Sequence, residues 1–220
     1  MPIVEINNSN TNGGMKTRVK LCGITSVADG LAAAAAGADL IGLMFYAASP
    51  RRVSLAQAAE ISQALPPFVL RAGVFVNPSP DLVLQAISEC HLSLLQFHGD
   101  EPSVFCTQFG LMSLKAIRIR DESSLTQLGN YQTEALLLDA YSPTGWGGTG
   151  ERFNWKLAVA AQRFGKPIFL AGGLTPENVA EAVRTVHPFG VDVSSGVESA
   201  PGKKDAGKMK AFISAAKSVD

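Results

Sequence analysis

The chain has 220 residues, 46% of them apolar and 17% charged, which is enough to bury a large core within one domain. Its 19 Lys and Arg residues are balanced by 19 Asp and Glu residues, so no overall charge attracts nucleic acid or an anionic membrane surface. We therefore expect a small-molecule partner. The three cysteines, Cys22, Cys90 and Cys106, are far apart, which predicts reduced thiols in a cytoplasmic protein rather than disulfides or a metal site.

Residues 1–17 predict a polar extension, and residues 18–220 predict one catalytic domain. The extension has neither the basic start nor the long apolar stretch of a secretory signal. No run in the chain approaches the roughly 18 consecutive apolar residues that a membrane span needs. We expect no membrane association, and we expect a monomer rather than a dimer.

Eight short apolar runs predict β-strands. In chain order they are RVKLC, DLIGLMF, FVLRAGVFV, LSLLQF, LMSLKAIRI, ALLLD, PIFLA and GVDVS. The segments between them carry apolar residues three and four positions apart, often after Ser, Thr or Pro, which is typical of amphipathic helices. Examples are SVADGLAAAAA, SLAQAAEISQAL, SPDLVLQAISE, EPSVFCTQF and TPENVAEAVRTV. The segment after the fifth strand, RDESSLTQLGNYQTE, has the weakest helical pattern.

A strand followed by a helix, repeated eight times, predicts a closed (βα)8 TIM barrel of eight parallel strands with outer helices. The alternative is an open doubly wound sheet. It is disfavoured because eight similar units show no point at which the strand order would reverse. No linker-like stretch interrupts the series, which argues for a single α/β domain.

Four polar residues fall at the carboxyl ends of predicted strands, where barrels of this type build their active sites. Cys22 ends the first strand and Arg51 lies in the loop after the second. His98 follows the fourth strand and Asp139 ends the sixth. Each has an ordinary structural explanation, as a small buried hydrophobe, a surface charge, a partner of nearby backbone or a turn cap. Their convergence on one rim favours a single site.

The loops after the last two predicted strands indicate a phosphate site. Gly172 and Gly173 expose backbone amides before a helix, and Ser194, Ser195 and Gly196 follow the eighth strand. Amides, hydroxyls and the positive end of a helix can together hold a dianion without any lysine. The alternative is a pair of tight turns, but two donor-rich turns in these adjacent barrel loops favour phosphate.

Two further features bear on the ligand. Asp192 lies two residues before Ser194 on the same inward face, and a carboxylate there needs a partner. We expect that partner to be a sugar hydroxyl. The segment AYSPTGWGGTGERF, which directly follows Asp139, is rich in glycine and predicts a lid that excludes water. The alternative is a loop that is simply mobile.

A series of motifs along the chain resembles one family, the phosphoribosylanthranilate isomerases of tryptophan biosynthesis. The motifs, in the family's order, are KLCGIT, SPRRV, GVFVN, LQFHGDEP, LLLDA, GGTGERFNW, AGGLTPENV and DVSSGVESAPGKKD. The resemblance runs from Arg18 to about Lys217. It departs only in the residues before Arg18 and at Phe97, where the family pattern leads us to expect an aliphatic residue.

The resemblance implies an Amadori rearrangement. The substrate would be N-(5'-phosphoribosyl)anthranilate, an aminoaldose, and the product 1-(2-carboxyphenylamino)-1-deoxyribulose 5-phosphate, an aminoketose. The resemblance assigns the general acid to Asp139 and the general base to Cys22. It assigns the anthranilate carboxylate to Arg51, with Arg52 as a bystander, and it places His98 near the substrate.

The chemistry is compatible with these residue types. A thiol with an ordinary pKa of about 8.5 becomes a useful base near neutral pH if its surroundings lower that pKa. No metal and no organic cofactor is implied, because the substrate's own nitrogen serves as the electron sink that a cofactor would otherwise supply.

Two other functions stay open at this point. The histidine-pathway isomerase performs the same rearrangement on another aminoaldose phosphate, and it resembles a two-carboxylate design with an aspartate at the position of Cys22. A catalytically silent barrel would only bind a phosphosugar or a partner protein. The presence of both Cys22 and Asp139 argues against a silent barrel.

Overall fold

The computed structural model describes residues 16–140 and 154–219. Most of the predicted extension and almost all of the predicted lid lie outside the described residues. Both therefore stay predictions, and so does the domain boundary at residue 18.

Eight parallel strands close into a barrel, which confirms the predicted fold and rejects the open sheet. The strands are β1 (Arg18–Cys22), β2 (Leu40–Met44), β3 (Leu70–Phe75), β4 (Leu94–Phe97), β5 (Met112–Ile119), β6 (Ala135–Ala140), β7 (Ile168–Leu170) and β8 (Gly190–Val193). The barrel closes where β8 pairs with β1, and in that register Lys20 stands opposite Asp192. All eight strands fall within or beside the predicted apolar runs.

Seven α-helices are present in the described residues, and most of them follow a strand. They are α1 (Val27–Ala36), α2 (Leu55–Ala64), α3 (Pro80–Cys90), α4 (Ser103–Thr107), α5 (Trp155–Ala161), α6 (Val179–Val186) and α7 (Ala206–Lys217). Ser26, Ser54 and Ser79 each accept a backbone N–H in the first turn of α1, α2 and α3, as N-cap residues do. None of the helices among the described residues has the length and apolar character needed to cross a membrane.

The segment predicted to be the weakest helix is a 3₁₀ helix, Glu122–Asn130. Its N-cap, Asp121, and Ser124 form a capping box. Only Leu125 and Leu128 of this helix are buried, and their spacing of three residues equals one turn of a 3₁₀ helix.

Alternation along the strands creates two apolar layers. One layer, which includes Leu21 and Phe97, lies between the strands and the outer helices. Phe97, the unexpected aromatic residue, is fully buried there and stacks at 6.0 Å between ring centroids with Phe75. The second layer fills the barrel interior, with Leu94, Leu114 and other residues. Polar side chains that point into this interior therefore contact either one another or groups at the carboxyl ends of the strands.

A short hairpin follows β8 before the last helix. It consists of β9 (Glu198–Ala200) and β10 (Lys203–Lys204), which pair antiparallel. The side chains of Glu198 and Lys204 are buried. The hairpin thus supplies two charged residues close to the carboxyl end of β8.

Candidate active site

All ten residues predicted for the site line one cavity at the carboxyl ends of the strands. They are Cys22, Arg51, His98, Asp139, Gly172, Gly173, Asp192, Ser194, Ser195 and Gly196. Gln96, which the sequence analysis did not single out, also lines the cavity. The residues come from six different strand ends, so the site exists only in the closed barrel.

Cys22 lies at the end of β1, with 6% of its surface exposed. Gly42, its neighbour on β2, leaves room for the thiol, because a Cβ at that position would lie 2.8 Å from Cys22 Sγ. Burial raises the pKa of the Cys22 thiol above its usual value, while the nearby charges of Lys20 and Lys204 act in the opposite direction. The condition that the surroundings lower this pKa is therefore not met in the structure.

Asp139 and His98 lie next to each other in the lining of the cavity. His98 Nε2 lies 3.2 Å from Asp139 Oδ2, with the distance but not the alignment of a hydrogen bond. Asp139 Oδ1 accepts the N–H of Ala140 at 2.9 Å. On the other side of the imidazole, Gln96 Nε2 lies 3.2 Å from His98 Nδ1. The acid candidate is thus fixed through one oxygen, while the other faces a ring that Gln96 orients.

Arg51 reaches the cavity but already holds a carboxylate. Its Nε and Nη2 each donate to one oxygen of Glu198, both at 2.7 Å. Its Nη1 donates to no acceptor in the described part of the chain. Glu198 occupies the guanidinium edge formed by Nε and Nη2. The predicted bidentate hydrogen bonds to an anthranilate carboxylate would therefore come from the edge formed by Nη1 and Nη2. Arg52 bonds the carbonyl of Ala47 instead.

A buried lysine stands behind the predicted phosphate loops. Lys204 Nζ donates to Glu198 Oε1 at 2.9 Å and to the backbone oxygen of Ser194 at 3.1 Å. The sequence analysis did not identify this cation, which lies next to the loop predicted to bind phosphate. Burial lowers the pKa of Lys204, and the carboxylate of Glu198 opposes that effect.

The first of the two predicted phosphate loops has a backbone conformation that depends on its two glycines. Gly172 and Gly173 both have left-handed φ angles, 84° and 65°, which non-glycine residues rarely adopt. Within residues 16–140 and 154–219, no acceptor takes the N–H groups of these two glycines. Gly196 lies against the neighbouring loop, because a Cβ there would be 2.0 Å from the carbonyl oxygen of Leu174. The two loops therefore form one continuous surface.

Asp192 has a partner that the sequence analysis did not identify. Lys20 Nζ donates to Asp192 Oδ1 at 2.7 Å, and the lysine side chain is fully buried. The carboxylate thus finds its partner within the protein, and a sugar hydroxyl would have to be a second partner for the same group.

Four functional candidates were missed by sequence reasoning: Lys20, Gln96, Glu198 and Lys204. Lys20 lies two residues before Cys22, and Gln96 lies two residues before His98. Strand alternation alone therefore places Lys20 and Gln96 on the same inward face of the barrel as these neighbours. Glu198 and Lys204 lie within the motif DVSSGVESAPGKKD, where no alternation signals that they are buried. No group of three or more His, Cys, Asp or Glu side chains suited to a metal ion occurs in the described residues.

Fold and cavity together define the class of protein: a (βα)8 barrel with a thiol, a carboxyl group, an imidazole and glycine-rich loops around one cavity at the carboxyl ends of its strands. Residues 19–215 match the family model described as N-(5'-phosphoribosyl)anthranilate (PRA) isomerase. The chain is 54% identical over 200 residues to the N-(5'-phosphoribosyl)anthranilate isomerase of Geobacter sulfurreducens, covering 91% of this chain and 98% of that one. The chain belongs to the N-(5'-phosphoribosyl)anthranilate isomerase family.

Solved structures agree with this assignment. The phosphoribosyl anthranilate isomerase of Thermotoga maritima superposes with a TM-score of 0.87 at 42% identity, covering 92% of this chain and 99% of that one. A phosphoribosyl anthranilate isomerase in complex with reduced 1-(o-carboxyphenylamino)-1-deoxyribulose 5-phosphate has a TM-score of 0.84 at 41% identity, with the same coverage.

Proposed function

We propose that the chain converts N-(5'-phosphoribosyl)anthranilate into 1-(2-carboxyphenylamino)-1-deoxyribulose 5-phosphate, with Asp139 as general acid and Cys22 as general base. The observation that carries these roles is the shared cavity: a carboxyl group and a thiol face one space that also holds open backbone amides. The relative of 41% identity that binds a reduced form of this product supports the choice of substrate.

The proposed reaction needs two proton transfers. Asp139 donates a proton to the furanose ring oxygen as the bond from C1 to that oxygen breaks, which gives a protonated Schiff base. The positive nitrogen acidifies the hydrogen on C2, and Cys22 removes that proton to give an enolamine. Tautomerisation of the enolamine yields the ketone. The substrate nitrogen accepts the electron pair from C2, so we propose a reaction without metal or cofactor.

Binding roles follow the placement of the remaining groups. The N–H groups of Gly172, Gly173 and Gly196, with Ser194 and Ser195, would hold the phosphate, and Lys204 beneath Ser194 adds positive charge. The Nη1 edge of Arg51 would bind the anthranilate carboxylate.

We further propose that a monomer in the cytoplasm carries out the reaction. A solved structure at 40% identity contains monomers generated from the dimeric isomerase of Thermotoga maritima, which makes a dimer the alternative. Light scattering of the purified chain decides between the two states.

The test of the function measures loss of substrate fluorescence with purified variants. Cys22→Ser replaces the thiol by a far weaker acid, and Asp139→Asn removes the acidic proton, so each should lower kcat by about 10²–10⁴-fold while the protein stays folded. Cys90→Ser is the matched control, because Cys90 lies in the outer apolar layer and should leave kcat close to that of the parent.

A chelator added to the parent enzyme should leave the rate unchanged. Activity that disappears with chelator and returns with a divalent ion contradicts the cofactor-free reaction. A Cys22→Ser variant that keeps most of its kcat contradicts the role of Cys22. Equal turnover of the histidine-pathway aminoaldose would favour the sister activity, and no turnover of either substrate would favour a silent barrel.

A further inference from the structure

Lys20 is a fully buried lysine inside the barrel. It belongs to β1, whose residues Val19 and Leu21 pack in the outer apolar layer, so strand alternation places Lys20 and Cys22 on the same inward face. A lysine is almost never fully buried unless it is paired. What its ammonium contacts therefore indicates what it does.

The ammonium of Lys20 has one hydrogen-bond partner and one ionisable neighbour. Its Nζ donates to Asp192 Oδ1 at 2.7 Å, and Lys20 stands directly opposite Asp192 in the pairing of β1 with β8. Cys22 is the next residue of β1 on the same inward face, and both Cys22 and Asp192 line the cavity. An ammonium has three donors and no acceptor, so donors remain for the sulfur besides the one that Asp192 accepts. A thiolate accepts such a bond far better than a neutral thiol does.

Among the described residues, the charges that act on Cys22 sum to one positive charge in excess. Three cations, Lys20, Lys204 and Arg51, influence the thiol. Two carboxylates balance them: Asp192 pairs with Lys20, and Glu198 pairs with both of the others. A thiolate at Cys22 would make this buried cluster neutral.

We propose that Lys20 is a positioning residue that stabilises the thiolate of Cys22 through its ammonium, and that Asp192 limits this effect by holding the same ammonium. The inference rests on the proposed function only in giving that thiolate the task of removing the C2 proton. When the sulfur takes up a proton, Lys20 keeps Asp192 as its partner, so its ammonium is not left unpaired. The pair thus allows the sulfur to change its charge during each turnover.

The direction of the two neighbours' effects makes the proposal testable. In the structure the charge of Lys20 lowers the pKa of Cys22 and the charge of Asp192 raises it, against the larger effect of burial, which raises it. Removing Lys20 and removing Asp192 should therefore shift ionisation of the thiol in opposite directions. A pair that only fastened β1 to β8 would give no such opposite response.

The experiment follows alkylation of Cys22 by iodoacetamide between about pH 6 and pH 10, without substrate, with peptide mapping to separate the three cysteines. Burial raises the pKa of Cys90 and Cys106 to about 11, so both should react slowly. At neutral pH, Lys20→Met should slow alkylation of Cys22 by about tenfold or more, and Asp192→Asn should accelerate it.

Lys166→Met is the matched control, because Lys166 is also a lysine whose ammonium is bonded within the protein, to the backbone oxygen of Thr133, but its charge does not act on Cys22. Its alkylation profile at Cys22 should match that of the parent. Unchanged profiles for both Lys20→Met and Asp192→Asn, or shifts in the same direction, overturn the inference. If Lys20→Met does not fold, Asp192→Asn decides alone: faster alkylation supports the inference, and equal or slower alkylation overturns it.

The same assay separates this inference from the proposed function. Unshifted alkylation together with an inactive Cys22→Ser variant rejects the role of Lys20 and leaves the role of Cys22 intact. Shifted alkylation together with an active Cys22→Ser variant supports the pairing and rejects the base role. The pH profile of kcat/KM in Lys20→Met should move to higher pH in parallel with alkylation.

Discussion

Two buried lysines in this barrel form ion pairs of nearly equal length yet serve different parts of the molecule. Lys20 pairs with Asp192 at 2.7 Å, and Lys115 pairs with Glu101 at 2.6 Å. The first pair lies beside a thiol that lines the cavity. The second pair binds backbone: Lys115 Nζ also donates to the carbonyl of Gly99, and Glu101 accepts the N–H of Asn77.

The difference teaches that a buried ion pair reveals its role by what surrounds it, not by its own geometry. The pair of Lys115 and Glu101 holds the loop that begins with His98, and the ionisable groups beside it, Cys106 and Tyr131, do not line the cavity. The pair of Lys20 and Asp192 lies beside Cys22, which does line it. One pair therefore stabilises a conformation, while the other also sets a charge.

The largest effect should come from breaking the structural pair. Lys115→Met leaves the Glu101 carboxylate buried, with 4% of its surface exposed and no ammonium beside it. We expect the free energy of unfolding to fall by about 3–5 kcal/mol, measured by urea denaturation. The double variant Lys115→Met with Glu101→Gln should recover part of that loss. A loss below about 1 kcal/mol for the single variant would contradict the role assigned to this pair.

A smaller effect is expected from displacing the thiol without touching its charges. In Gly42→Ala the new Cβ would lie 2.8 Å from Cys22 Sγ and 3.1 Å from Cys22 Cα, so the sulfur has to move. We expect kcat/KM to fall by about 10- to 100-fold, because small misplacements of a reacting group are costly. Gly73→Ala is the control: it is equally crowded, against Leu92, but should lower stability more than turnover. Normal kcat/KM in Gly42→Ala would show that the position of the sulfur is not critical.

The smallest effect concerns a third pair, Arg51 with Glu198. Burial alone would raise the pKa of Glu198, but the hydrogen bonds and charges of Arg51 and Lys204 outweigh it, and the pKa is lowered. The stabilisation is thus complete above the ordinary glutamate pKa of about 4.3 and is lost as the pH falls through the lowered value.

Glu198→Gln should therefore be less stable than the parent at neutral pH, and the two should converge between about pH 5 and pH 3. Urea denaturation across this range measures the difference. Glu60→Gln, on the exposed face of α2, should not show this convergence. A constant gap between Glu198→Gln and the parent at all these pH values would mean that the charge of Glu198 does not contribute.

The sequence predicted the barrel well because the pattern that marks each strand and most helices lies within that element's own residues. Apolar runs such as ALLLD have no alternative to burial on both faces, and the seryl N-caps at Ser26, Ser54 and Ser79 mark where helices begin. The segment from 120 to 134 is the exception, since its few apolar residues do not fix the helix type. The 3₁₀ form depends on contacts with the barrel that its own sequence does not contain.

The candidate site was predicted in its membership but not in its pairing. Strand ends identify Cys22 and Asp139 as neighbours of one cavity, but the partner of Asp192 lies 172 residues away. That partnership depends on the register in which β8 meets β1, which no local pattern specifies. The same reason explains why Glu198, which occupies one edge of Arg51 from 147 residues away, was missed.

The contact between Lys20 and Asp192 also has a consequence for how the chain acquires activity. It joins the first strand to the last, and contacts between such distant segments form late, because the loop they close is long and costs much entropy. A chain that has formed seven strands has no partner for Lys20 and no loop containing Ser194. Recovery of turnover during refolding should therefore follow the final closure of the barrel rather than the earlier growth of helical signal.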